Sequence, residues 1–128
     1  MTEKKETKKK VKKSTPKGVV HVQNTFNNTI VTVTDMNGNT VSWSSAGALK
    51  FRGAKKSTPF ASQMVAAAAC ETAVKLGMRE VKILINGPGF GRESAIRAVS
   101  KAGLQITQIS DITGIPHNGC RPRKIRRI

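Results

Sequence analysis

Thr29-Ile30-Val31-Thr32-Val33-Thr34 is a run of six β-branched residues. Such side chains are stiff at χ1 and crowd a helix, while a pleated sheet accommodates them. The stretch therefore predicts a strand, and the neighbouring chain falls into place around it. Toward the N-terminus, residues 24–28 (Asn-Thr-Phe-Asn-Asn) read as a turn, and residues 19–23 as a first strand carrying His21 as an ordinary sheet side chain. Toward the C-terminus, Asn37-Gly38 suits a two-residue hairpin turn. Val41 and Trp43 then alternate with Thr40, Ser42 and Ser44, marking a third strand with Trp43 expected in the core. The result is an antiparallel three-stranded meander.

Residues 46–56 read as a glycine-containing loop with four cations, Lys50, Arg52, Lys55 and Lys56. Thr58 can cap the helix that follows, with Pro59 at its first position, where a missing N–H costs nothing. Gly77 supplies the stop. Small residues fill the middle of this helix, 65–70, which predicts close packing on a sheet. Glu71 and Lys75 have the favourable i, i+4 spacing, as do Glu93 and Arg97. Residues 81–85 form an almost continuous apolar run, as expected of a strand buried on both faces. The loop Gly87-Pro88-Gly89-Phe90-Gly91 breaks the chain. A second helix over 92–102 carries Ala95, Val99 and Ala102 on one stripe, and residues 104–109 give a last strand. The predicted fold class is α/β: a single domain, a mixed five-stranded sheet and two helices in the order β-β-β-α-β-α-β. The final βαβ unit should cross over right-handed and pair in parallel. This order resembles the ribonuclease H-like architecture.

The chain has 128 residues and a formal net charge of +16. That length suits one domain with a real core. Residues 1–17 hold eight lysines against two glutamates, and residues 121–128 hold five cations and no acid. The expected organisation is a basic disordered arm over 1–17, an α/β RNA-binding domain over 18–115 and a basic extended tail over 116–128. Blocks of like charge repel themselves and rarely fold alone. A solubility tail is the bland reading, but two basic ends on one small domain point to a polyanion, because each cation near a phosphate releases condensed counterions. Organellar transit peptides are Arg-rich and poor in acids, whereas this arm is Lys-rich and carries Glu3 and Glu6. The longest apolar run, 64–70, is far short of the ~20 residues of a membrane span. The two cysteines, Cys70 and Cys120, form neither a disulfide framework nor a CxxC pattern, so a reducing, cytoplasmic setting is expected.

The 87–91 loop joins a strand to a helix, which places backbone N–H groups where they could meet a phosphate. It lacks the Gly-Lys-Ser/Thr of a mononucleotide loop and the spacing of Gly-x-Gly-x-x-Gly. Contact with a nucleic-acid backbone, helped by Arg92, or a plain tight turn accounts for it better. Two-metal cleavage needs converging carboxylates, and only Asp35, Glu71, Glu80, Glu93 and Asp111 lie in the expected domain. His117 and Cys120 make at most two metal ligands. Cys70, inside an alanine-rich helix, reads as a small buried hydrophobe. Neither catalysis nor a cofactor is expected. Five aromatics without a tyrosine give little for base stacking on a sheet. Recognition of the backbone and shape of a structured RNA is the better expectation, although composition alone does not separate RNA from DNA. Pro116 and Pro122 should keep the intervening stretch extended rather than helical.

Several segments together resemble one family, the eleventh protein of the small ribosomal subunit, bacterial type. They are Phe26-Asn27-Asn28-Thr29-Ile30-Val31-Thr32, Phe51-Arg52-Gly53, Lys56-Ser57-Thr58-Pro59-Phe60-Ala61, Gly87-Pro88-Gly89 with Gly91-Arg92-Glu93-Ser94, and Ile115-Pro116-His117-Asn118-Gly119-Cys120-Arg121-Pro122. Phe90 stands where many relatives have a second proline, and Ala48-Leu49-Lys50 replaces a more glycine-rich stretch. The resemblance implies a non-catalytic role on the platform of the small subunit. There the protein would bridge separate helices of small-subunit ribosomal RNA and help form the cleft where messenger RNA pairs near its exit. It implies the seventh and eighteenth small-subunit proteins and initiation factor three as neighbours. The RNA-facing residues it implies are Lys50, Arg52, Lys55, Lys56, Gly89, Gly91 and Arg92, followed by His117, Asn118, Gly119, Cys120, Arg121, Arg123, Lys124, Arg126 and Arg127.

Overall fold

A computed structural model describes residues 16–125. The basic arm over 1–15 and the last three residues, with Arg126 and Arg127, lie outside the described residues. Five strands and two helices follow one another as β1 (Lys17–Asn24), β2 (Thr29–Asp35), β3 (Thr40–Ser45), α1 (Pro59–Lys75), β4 (Glu80–Asn86), α2 (Arg92–Lys101) and β5 (Gln105–Asp111). They form one sheet in the order β3-β2-β1-β4-β5. The meander is antiparallel, while β4 lies parallel to β1 and β5 parallel to β4. This is the mixed α/β sheet that the order of elements predicts.

The β-branched runs bury every second residue. Val20 pairs with Val33 and Ile83, and Val22 with Val31 and Ile85, and all six lie in the core. Both helices cover this one face. The sheet is therefore one-sided, and β4 is not buried on both faces as its apolar run suggests. Val81, Ile83 and Ile85 point inward, while Lys82 and Leu84 lie half-buried on the open face. The alanines of α1 let it sit close to β3, where Ser42 Oγ donates to the Ala69 carbonyl at 2.8 Å. Because Ser42 and Ser44 take the inward positions, Trp43 points the other way and is 62% exposed, contrary to its expected place in the core. His21 is a sheet side chain as expected, with Nε2 3.1 Å from Thr34 Oγ1.

Thr58 caps α1 through an Oγ1 that accepts from the Ala61 N–H at 3.2 Å, and Pro59 opens the helix. The meander turn departs from expectation. The Asp35 N–H donates to the Asn39 carbonyl and only Gly38 has positive φ, so the loop is three residues long. The cause is the Asp35 carboxylate, whose Oδ1 accepts from the Asn37 and Asn39 N–H groups, both at 2.9 Å. These bonds favour a type I turn with a glycine bulge over the primed turn. They also hold the Asp35 carboxyl below the usual carboxylate range, the Asn39 N–H foremost. The loop after β3 is more ordered than its glycines suggest, ending in a 3-10 turn over Gly53–Ser57.

Candidate nucleic-acid interface

In this topology the chain leaves β1, β3, β4 and β5 at the same end of the sheet. Four segments therefore gather there: residues 25–28, 46–58, 87–91 and 112–125. Every described residue singled out above for RNA lies on one of them or at the first position of α2.

The 46–58 segment folds back on itself. The Phe51 N–H donates to the Ala46 carbonyl at 3.0 Å, and the Lys50 N–H to that of Gly47 at 3.1 Å. Lys50 takes a left-handed φ of 67° to make this turn. Leu49 and Phe51 pack on the core, so Lys50 and Arg52, on either side of Phe51, are turned out to solvent. Lys55 and Lys56 ride on the 3-10 turn, Lys55 exposed and Lys56 partly so.

The 87–91 loop is built on Asn24, which is fully buried. Asn24 Nδ2 donates to Thr29 Oγ1 at 2.8 Å and to Ser62 Oγ at 2.9 Å, and the two hydroxyls are 2.8 Å apart. The Gly91 N–H donates to Asn24 Oδ1 at 3.3 Å, and the Gly89 N–H to the Asn24 backbone carbonyl at 3.0 Å. One side chain thus joins β1, β2, α1 and the loop before α2. The glycines are required by close approach. A Cβ at Gly89 would overlap Asn24 Oδ1, and one at Gly91 would overlap Ser62 Oγ. These two N–H groups, expected to face a phosphate, are thus already engaged, and both glycines are buried.

Arg92 sits in the first turn of α2 and forms an ion pair with Asp111 at the end of β5. Among the described residues it is the only ion pair; Glu71–Lys75 and Glu93–Arg97, expected from their spacing, do not close in the structure. Both of those pairs lie on helix surfaces, where holding two long side chains together gains little. Asp111 Oδ1 also accepts from the Thr113 hydroxyl and from its N–H at 3.0 Å. Thr113 Oγ1 in turn accepts from the Gly87 N–H at 3.0 Å. The Thr113 side chain, then its N–H, then Arg92 hold the Asp111 carboxyl below its ordinary range. This clamp fixes where the tail leaves the sheet. Beyond it, residues 114–125 are exposed and contain neither helix nor strand. The stretch between the two prolines is non-helical, as expected, but not extended throughout: it bends at His117, Asn118 and Cys120, and Asn118 takes a left-handed φ of 60°. His117, Asn118, Gly119, Cys120, Arg121, Arg123 and Lys124 are all exposed on this stretch.

Two features are not legible in the sequence. Phe26 and Phe90 meet at the tip of this end with ring centroids 5.5 Å apart, 56% and 74% exposed. Phe51 and Phe60 make a second, edge-on pair at 6.1 Å. The cysteines behave oppositely. Burial pushes the Cys70 thiol up to about 12, while Cys120 is exposed. Iodoacetamide at neutral pH should therefore label one thiol in the native protein and two in denaturant, counted by intact mass; native labelling of Cys70 would contradict its burial.

A small α/β domain that carries the cations of its 46–58 loop and of its basic tail on segments leaving the same end of the sheet is, by class, a nucleic-acid-binding protein. The family model described as ribosomal protein S11 matches residues 18–127, and the chain belongs to that family. It is a structural protein of the small ribosomal subunit that binds ribosomal RNA. No helix among the described residues is long and apolar enough to cross a membrane.

Proposed function

We propose that the loop end of the sheet is the face that holds ribosomal RNA on the platform of the small subunit. Lys50, Arg52, Lys55 and Lys56 on one side, and the tail from His117 through Asn118, Gly119, Cys120, Arg121, Arg123 and Lys124 to Arg126 and Arg127 on the other, would engage separate RNA helices and bridge them. Gly89 and Gly91 serve this face by letting the loop close on Asn24, which carries Arg92 to the same edge. The platform position, the cleft where messenger RNA pairs near its exit, and the neighbours (the seventh and eighteenth small-subunit proteins and initiation factor three) follow from the resemblance. The protein would work in the cytoplasm without a cofactor. The domain would act as a rigid wedge and the basic ends over 1–17 and 116–128 as electrostatic anchors, with ordering costs offset by binding to phosphates.

The observation that carries this reading is that four chain segments, distant in sequence, leave one end of the sheet, and that two of them, 46–58 and 112–125, carry cations, with Arg92 opening the helix after a third. Replacing Lys50, Arg52, Lys55 and Lys56 with alanine should weaken binding to small-subunit ribosomal RNA. It should also flatten the dependence of log K on log salt by roughly 0.7–0.9 for each phosphate that these cations neutralise. An unchanged slope would remove this loop from the interface.

A further inference from the structure

We propose that Phe26 and Phe90 form a ledge on which one unstacked base of the bound RNA stacks. The inference rests on the RNA-binding reading of this end and assigns two residues within it. Phe26 belongs to the β1–β2 turn and Phe90 to the loop before α2. Parallel pairing of β1 with β4 brings these two segments side by side. The rings are tilted by 54° with centroids 5.5 Å apart, too close to admit a base between them. The available surface is the outer face of Phe90, the more exposed ring, with Phe26 bracing it.

The ledge is held rigidly although it is exposed. Thr25 closes the turn: its N–H donates to the Asn28 carbonyl at 2.9 Å, and its Oγ1 accepts from the Asn27 and Asn28 N–H groups at 3.2 and 3.1 Å. On the other side, the amides flanking Phe90, those of Gly89 and Gly91, are fixed to Asn24. Two large apolar rings are thus kept in water by hydrogen bonds beneath them, which is preorganisation without burial. The surrounding charge selects the occupant. Arg92 follows two residues after Phe90, and Lys50, Arg52, Lys55 and Lys56 lie at the same end of the sheet. RNA supplies both complements, phosphates for the cations and a π face for the rings. Stacking accepts any base, so the ledge would add affinity without reading sequence.

The test measures binding of the full chain to small-subunit ribosomal RNA over a series of salt concentrations, with Phe90→Leu and Phe26→Leu, which keep apolar bulk and remove the ring. Far-UV circular dichroism and the urea midpoint confirm folding, since both rings are exposed. Each variant should bind roughly fivefold or more weakly with the salt slope unchanged, because neither ring neutralises a phosphate. Wild-type affinity for Phe90→Leu would overturn the proposal. So would a defect that arises only on incorporation into whole subunits, which would assign the ledge to a protein neighbour. Failure of the wild-type chain to bind the RNA would instead overturn the reading of the whole end.

Discussion

Gly89→Ala is expected to lower the unfolding free energy by about 4 kcal/mol or more, enough to unfold much of the protein at 37 °C. The added Cβ would overlap Asn24 Oδ1, and the Thr25 backbone carbonyl lies only 2.7 Å from it. Backbone on one side and a fully buried side chain on the other leave it no room. Forced overpacking costs about 1–3 kcal/mol. Displacing Asn24 also strands the Gly91 N–H and takes the amide donor away from the Thr29 and Ser62 hydroxyls, which keep each other; a buried unsatisfied group costs about 1–3 kcal/mol. Against a typical stability of about 5–15 kcal/mol, that is a large fraction. Asn24→Ala should be nearly as damaging, because it removes the same three side-chain hydrogen bonds from a fully buried site without adding bulk. Gly114→Ala is the control: nothing lies within 4 Å of its Cβ, so a change within about 0.5 kcal/mol is expected. Urea unfolding followed by circular dichroism decides the matter. A Gly89→Ala midpoint equal to wild type would mean that Asn24 does not organise this end.

Deleting residues 116–128 should have the largest effect on function with almost none on fold. The segment carries Arg121, Arg123, Lys124, Arg126 and Arg127 and no acid. Its described part contributes nothing to the core, and the Asp111–Thr113 clamp that closes β5 lies before the cut. Without these cations to neutralise phosphates, binding to small-subunit ribosomal RNA should weaken by roughly 10²–10³-fold near physiological salt, and the salt slope should flatten by about 4. The unfolding free energy should stay within about 0.5 kcal/mol of wild type. Unchanged affinity would show that the tail is not an anchor.

The strands and helices are legible in the sequence because their signals are local. A β-branched run makes a strand wherever it packs, and Thr58-Pro59 starts a helix through bonds within one turn. Trp43 defies its alternation pattern because size does not decide which side of β3 faces inward. The alanine-rich face of α1 comes so close to β3 that only the serines fit between, and alternation then sends the tryptophan outward. The same one-sided layering explains why the apolar run of β4 is only half-buried. Asn24 reads locally as part of a turn, since nothing nearby in sequence hints at partners at 29, 62, 89 and 91. The glycines of the 87–91 loop are conspicuous, but their reason lies in that distant side chain. Arg92 and Asp111 are likewise 19 residues apart, on different elements, while the i, i+4 pairs that spacing favours stay open. As for the interface, composition marks the cations, and topology supplies what composition cannot, their convergence on one end of the sheet.

Cross-linking by ultraviolet light within salt-washed small subunits, with the RNA-linked peptides identified by mass spectrometry, tests the central claim most directly. The account predicts adducts on peptides spanning 46–58 and 112–127, and on the 87–91 loop. Adducts confined to the opposite end of the sheet, at 35–39, 77–79 or 103–105, or loss of the protein from the subunits in the wash, would contradict it.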